Sequence, residues 1–106
     1  MNKDAKIIIE RVKVLFKRIP NTKYTINVAN DIYDKQYNFF LESQKKGRRP
    51  RSVPLHSITN YDLENLENII NEIKKVYKLS IEYTGFTDQR WPSSWRIIQK
   101  KRKLHE

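Results

Sequence analysis

Residues 63–83, which read LENLENIINEIKKVYKLSIEY, change their hydrophobic period once. As far as Tyr77 the apolar residues step by three and four, the spacing that places side chains on one face of an α-helix. Beyond it, Leu79, Ile81 and Tyr83 alternate with polar residues, as in a strand with one buried face. A helix followed directly by such a strand predicts an α+β fold.

The ends of this helix are marked by a capping residue and by charge. Asn60 is a good N-cap, and the carboxylates of Asp62 and Glu64 suit the positive end of the helix dipole. Three lysines suit the negative end, namely Lys74, Lys75 and Lys78. We therefore predict a helix over residues 60–77.

A second amphipathic helix is predicted over residues 4–19. Its apolar stripe steps by four, three and four residues, at Ile8, Val12, Leu15 and Ile19. Pro20 follows, and because a proline ring disfavours a helical residue before it, the helix is expected to end there.

Two other segments are candidates for strands. Tyr24, Ile26 and Val28 alternate with polar residues and predict a strand. Residues 30–43 fit either a helix capped by Asn30 or a strand. Their aromatic and branched residues favour the strand.

The two halves of the chain resemble each other. Laid over residues 69–77, residues 8–16 place apolar on apolar at most positions. In each half an alternating strand follows, and then an aromatic-led segment begins, at Tyr37 and at Trp95. We therefore predict two amphipathic helices packed on one face of a small antiparallel sheet, with a helix-strand-strand unit repeated twice.

A winged helix is the alternative architecture. Its helices would span residues 4–19, 30–45 and 60–77, with a wing over residues 79–101. In such folds the third helix approaches the DNA. Here the outer face of that helix carries four carboxylates, Asp62, Glu64, Glu67 and Glu72. This alternative therefore ranks second.

Positive charge dominates the chain, with 22 Lys and Arg against 12 Asp and Glu, a net charge of +10. Such an excess is typical of proteins that bind polyanions. Residues 45–51 hold five cations and no carboxylate, and residues 90–106 hold six cations and one carboxylate. Because clustered cations release many counterions from nucleic acid, the sequence predicts a salt-sensitive binding surface.

The candidate nucleic-acid-binding residues are the cations of these two stretches and one indole. They are Lys45, Lys46, Arg48, Arg49, Arg51, Arg90, Trp91, Arg96, Lys100, Lys101, Arg102 and Lys103. An exposed indole can stack on a base, which would favour single strands. We expect Trp95 to belong to the core, because it lies on an alternating segment, and Trp91, beside Pro92, to be harder to bury.

Catalytic, metal and cofactor sites are not expected. The chain has no cysteine and only two glycines, which excludes a thiolate metal site and a glycine-rich phosphate loop. His56 adjoins Ser57 but has no third group to orient it, so we interpret it as an ordinary loop histidine. Glu72 and Lys74 have a spacing found in nucleases, but residues two apart on a helix do not converge on one metal.

The chain of 106 residues is expected to form a single domain, 1–106. Within it we expect a mobile basic loop at 44–54, since the loop has no apolar residue before Val53, and a basic tail at 100–106. No apolar run is long enough to cross a membrane. We therefore expect an intracellular, cytoplasmic protein with no membrane partner.

These observations predict a small, basic, non-enzymatic protein that binds nucleic acid, DNA or RNA, with low sequence specificity. The alternative is a protein-binding accessory or inhibitory module that docks on an acidic surface of a larger host complex. A homodimer, paired through the open face of the sheet or through residues 53–58, is compatible with both. The abundance of Lys, Asn, Ile and Tyr over Ala and Gly suits an accessory protein of a phage, virus or mobile element.

Overall fold

The computed structural model describes residues 2–16, 20–87 and 89–98. Two helices and four strands form an α+β fold, which confirms the predicted class. In chain order the elements are α1 (Lys3–Leu15), β1 (Thr22–Asp31), β2 (Gln36–Lys45), β3 (Arg51–Ile58), α2 (Leu63–Val76) and β4 (Ser80–Thr84). The segment that fitted either a helix or a strand is the strand β2, as its aromatic residues favoured.

The four strands form one sheet in the order β3-β2-β1-β4. β2 is antiparallel to both β1 and β3, whereas β4 runs parallel to β1. The prediction of a purely antiparallel sheet is therefore wrong. The reason is the connection: α2 carries the chain from β3 across to β4, so β3, β1 and β4 all run in the same direction.

The helix-strand-strand repeat and the winged helix are not confirmed. Three strands, not two, separate the helices, because residues 51–58 form β3. The sequence does not indicate this strand because it contains Pro54. Proline has no backbone N–H to donate to a neighbouring strand and is tolerated mainly on edge strands. After β4, residues 85–87 and 89–98 contain no further named strand, although Arg90 and Ile97 form an isolated antiparallel bridge.

One hydrophobic cluster joins both helices to the same face of the sheet. The helices contribute their apolar stripes to it, and the strands contribute alternate residues. The cluster includes Ala5, Ile8 and Val12 of α1, Leu66, Ile69, Ile70 and Ile73 of α2, and Ile26, Val28, Tyr37, Phe39, Leu41, Leu55 and Ile58 of the sheet. Fully burying one such branched side chain contributes about 1.5–3 kcal/mol, so this face of the sheet determines where the helices lie.

The helix termini differ in detail from the expectations. α1 begins after Asn2, whose side chain accepts hydrogen bonds from the backbone N–H groups of Asp4 and Ala5. It ends at Leu15; residues 17–19 of the predicted helix lie outside the described residues. α2 begins after Asp62, and Asn60, the predicted N-cap, lies two residues further from the helix. Neither helix has the length and apolar character needed to cross a membrane, within the described part of the chain.

Aromatic side chains close the core at the end of the sheet where β1 ends. Tyr37 stacks on Tyr61 with ring centroids 4.8 Å apart and on Phe86 at 5.7 Å. The ring of Tyr83 meets the ring of Phe86 edge-on at 5.8 Å and that of Trp91 at 5.5 Å. Burial raises the pKa of Tyr83 to about 12, because the phenolate would lose its hydration there.

The raised pKa of Tyr83 predicts how stability changes in alkali. Below pH 10 the hydroxyl is neutral in both the folded and the unfolded chain. Between pH 10 and about 12 it ionises only in the unfolded chain, so the folded state loses stability as the pH rises. We expect Tyr83→Phe to have similar stability at pH 7 and to lose less stability between pH 10 and 12. Urea denaturation at a series of pH values measures this; identical pH profiles for the variant and the wild type would contradict it.

Candidate nucleic-acid interface

The turn between β2 and β3 carries most of the first basic stretch. Two backbone hydrogen bonds shape it: Lys46 N–H donates to the carbonyl of Asn21, and Arg48 N–H donates to that of Lys45, both at 2.9 Å. Gly47 has a φ of 79°, a conformation that glycine adopts without strain. The unpaired loop is shorter than the predicted 44–54, because β2 continues to Lys45 and β3 starts at residue 51.

Beside this turn lies a cleft of about 360 Å³, which we call the basic cleft. The strand register brings its lining together, since Thr22 lies opposite Lys45, Tyr24 opposite Ser43, and Ser43 opposite Arg51. These residues share the face that the helices cover further along the sheet. The complete lining is Thr22, Tyr24, Ser43, Lys45, Arg48, Arg49 and Arg51.

The cations of the basic cleft have no carboxylate partner among the described residues. No described Asp or Glu lines the cleft. Within residues 2–16, 20–87 and 89–98, the one contact of a basic with an acidic side chain at salt-bridge distance joins His56 to Asp4, and neither of these residues lines the basic cleft. The side chains of Lys45, Arg48, Arg49 and Arg51 are all exposed. They are therefore free to contact an anion without first breaking a salt bridge.

The wall of the basic cleft holds an unusual hydroxyl. The Oγ1 atom of Thr22 is buried and has no hydrogen-bond partner in the described part of the chain. A buried polar atom without a partner costs about 1–3 kcal/mol. Sequence reasoning did not select Thr22, although the alternation of Tyr24, Ile26 and Val28, extended backwards, places it on the same face.

The opposite face of the sheet has a different electrostatic character. Glu42 lies opposite Thr25, and Glu82 lies opposite Asn27, so two carboxylates share this open face. They line a shallow cleft of about 250 Å³ together with Lys23 and uncharged residues. A polyanion is therefore attracted to the face that bears the basic cleft and meets carboxylates on the other.

The second basic group, in residues 90–96, packs against other elements. This segment contacts α2, where Ser93 donates to the Glu67 carboxylate through both its backbone N–H, at 3.1 Å, and its hydroxyl, at 2.6 Å. Arg96 is exposed and lines a cleft of about 410 Å³ with Lys74. None of these described residues lines the basic cleft, so the two groups do not form one site.

The burial of the two indoles differs from what the sequence predicts. Trp91 is half-buried and packs edge-on against Tyr83. Trp95, expected in the core, is 70% exposed. The expectation is wrong because residues 91–95 form a turn and not a strand, so no alternation turns Trp95 inward. The candidates Lys100, Lys101, Arg102 and Lys103 lie outside the described residues, as does the whole tail 100–106.

The residues considered for catalysis have structural partners. His56 lies in β3 and not in a loop, and its Nε2 atom is 2.8 Å from Oδ1 of Asp4. The hydroxyl of Ser57 donates to Oδ1 of Asn38, on the opposite face of the sheet. Glu72 accepts a hydrogen bond from the backbone N–H of Asn2. No three His, Cys, Asp or Glu side chains of the described residues are grouped closely enough to hold a metal ion.

Comparison of the chain with protein-family models, with curated proteins and with solved structures finds no match.

The unpartnered hydroxyl predicts a stability change in Thr22→Val. Valine keeps the branched shape that suits a strand and removes the buried hydroxyl. We expect the free energy of unfolding to rise by about 1 kcal/mol, measured by urea denaturation. Thr25→Val, in the same strand but on the open face, is the matched control and should change stability by less than about 0.5 kcal/mol. A clear loss of stability in Thr22→Val would show that the hydroxyl has a partner in the free protein.

Proposed function

We propose that the protein is a small, non-enzymatic nucleic-acid-binding protein of low sequence specificity. The observation that supports it best is the basic cleft, where four exposed cations line one concavity and none of the described carboxylates does. Arginine has a planar fork of N–H donors that matches a phosphate group, and three of the four cations are arginines. An accessory role in a phage, virus or mobile element is part of the proposal and has only the composition to support it.

The cleft gives binding energy mainly through counterion release. Each phosphate that a cation neutralises releases condensed ions, and the affinity falls with salt in proportion to the number of such contacts. No carboxylate of the described residues offsets the charge of these cations, because they form no ion pair with the described residues. The proposal therefore requires affinity that depends strongly on ionic strength.

Low specificity follows from the kind of contact available. Phosphate contacts position a protein and carry no information about the bases. Each helix buries its apolar stripe in the core, and α2 has Asp62 and Glu64 at its first turn. Carboxylates at that end oppose entry of the helix into a groove lined by phosphates.

The protein-binding module remains the second candidate, with less support. Tryptophan is a frequent anchor at protein interfaces, but Trp91 packs against Tyr83 and is half-buried, so it offers little surface to a partner. A mobility shift with single- and double-stranded oligonucleotides, beside a pull-down from nuclease-treated lysate, separates the two candidates.

Removing the three arginines of the basic cleft tests the proposed function. We expect Arg48→Ala, Arg49→Ala and Arg51→Ala together to weaken binding to a similar degree across sequences. The slope of log affinity against log salt should fall by about 2 for single strands, at about 0.7 per lost phosphate contact. Fluorescence anisotropy with labelled oligonucleotides at several salt concentrations measures both quantities.

A matched control removes the same charge from another surface. Lys3, Lys6 and Lys13 are exposed on α1, and their combined replacement by alanine also lowers the net charge by three. Alanine favours the helix, so the fold is kept. We expect this control to change the affinity and the salt slope much less. Equal losses in the two triple variants would show that net charge alone, and not the basic cleft, drives binding.

A further inference from the structure

The indole of Trp95 is held in an unusual position. Its side chain is 70% exposed, and its backbone φ is 60°. A positive φ is strained for a bulky residue, and glycine or asparagine would normally occupy such a place. Neither core packing nor turn geometry therefore explains why a tryptophan is here. Strained backbone of this kind is found at functional sites when the surroundings enforce it.

Several hydrogen bonds enforce the conformation of Trp95. Its N–H donates to the carbonyl of Trp91 at 2.8 Å, and Trp91 N–H donates to the carbonyl of Arg96 at 2.9 Å. The guanidinium of Arg90 donates to the carbonyl of Trp95 at 2.8 Å. The turn is also fastened to α2 through the bonds from Ser93 to Glu67. The backbone that carries the ring is thus fixed, so little backbone freedom is lost when the ring binds.

Two arginines flank the exposed ring. The guanidinium carbon of Arg90 lies over one face of the Trp95 ring, 5.8 Å from its centre. Arg96 is the next residue and lines the neighbouring cleft with Lys74 and with Glu67, whose carboxylate accepts hydrogen bonds from Ser93. An aromatic ring between cations is the arrangement by which proteins hold single strands, with a base on the ring and phosphates on the cations.

A second exposed aromatic residue provides the contrast. Tyr33 is 98% exposed in the turn between β1 and β2. Its turn contains two carboxylates, Asp31 and Asp34, against one cation, Lys35, and the backbone N–H of Asp34 donates a hydrogen bond to the Asp31 side chain. Phosphates are repelled there, so exposure of an aromatic ring alone does not make a site for a nucleotide.

We infer that Trp95 is a stacking platform for an unpaired base, so that the protein binds single-stranded nucleic acid in preference to duplex. This inference rests on the proposed function. It adds a preference for single-stranded over double-stranded nucleic acid, which binding by the basic cleft does not determine. Bases within a duplex are already stacked on their neighbours and are not available to the ring, so the platform adds affinity for single strands alone.

The test compares three variants on two probes. The probes are a labelled oligothymidylate of about 12 nucleotides, within the usual site sizes of such proteins, and a mixed-sequence duplex of the same length. Trp95→Gly removes the ring and relieves the strained φ, so its fold should resist urea at least as well as the wild type. Trp95→Phe keeps a ring, and Tyr33→Ala is the matched control for loss of an exposed aromatic side chain.

We expect Trp95→Gly to bind oligothymidylate about tenfold more weakly and the duplex as the wild type does. Trp95→Phe should recover most of the loss, and Tyr33→Ala should bind both probes normally. If Trp95→Gly binds oligothymidylate as tightly as the wild type, or if the wild type prefers the duplex, the stacking platform is wrong while the proposed function stands. If the wild type binds neither probe, the proposed function itself fails, and this inference fails with it.

Discussion

The pairing register between β1 and β2 is the constraint on which the rest of the structure depends. Each strand has ten residues, and the register runs from Thr22 opposite Lys45 to Asp31 opposite Gln36. It places every second residue on one face, where Ile26, Val28 and their partners receive the two helices. A slip of one residue would exchange the two faces and expose the core. The same register determines which polar side chains line the basic cleft, at the end of the sheet past the core.

The sheet therefore divides its charges between two faces. On the helix-bearing face, the residues past the end of the core form the basic cleft. The other face carries Glu42 of β2 and Glu82 of β4. In the proposed mode of binding, this division directs a polyanion to one face and one end of the sheet, which net charge alone would not do. The exposed indole of Trp95, on a turn that is hydrogen-bonded to α2, is the second contact that we propose.

Much of the fold can be predicted from hydrophobic period. The stripes of α1 and α2 and the alternation in β1, β2 and β4 all appear in the sequence, because burial on one face imposes them. The strand β3 could not be predicted, since Pro54 is acceptable mainly on an edge strand, and edge position is a property of the assembled sheet. The parallel pairing of β4 was missed for the same reason, because it depends on the path of α2 across the sheet.

The candidate site was predictable in part. The cations of residues 45–51 were identified from charge alone, and the structure shows which of them line one cleft. Their neighbours Thr22, Tyr24 and Ser43 could not be found this way, because they join the cleft through strand register. The alternation of Trp95 and Ile97 with Arg96 predicts a core position for the Trp95 indole, and the turn that exposes it has no glycine to mark its positive φ.

The most direct test of the account is an NMR titration of the labelled protein with a short single-stranded oligonucleotide, followed through side-chain signals on both faces of the sheet. The account predicts that the Nε–H signals of Arg48, Arg49 and Arg51 shift on binding, because their guanidinium groups contact phosphates. The side-chain amides of Asn27 and Asn38, on the open face, should keep their positions. Shifts confined to these two amides, with unchanged arginine signals, would contradict it.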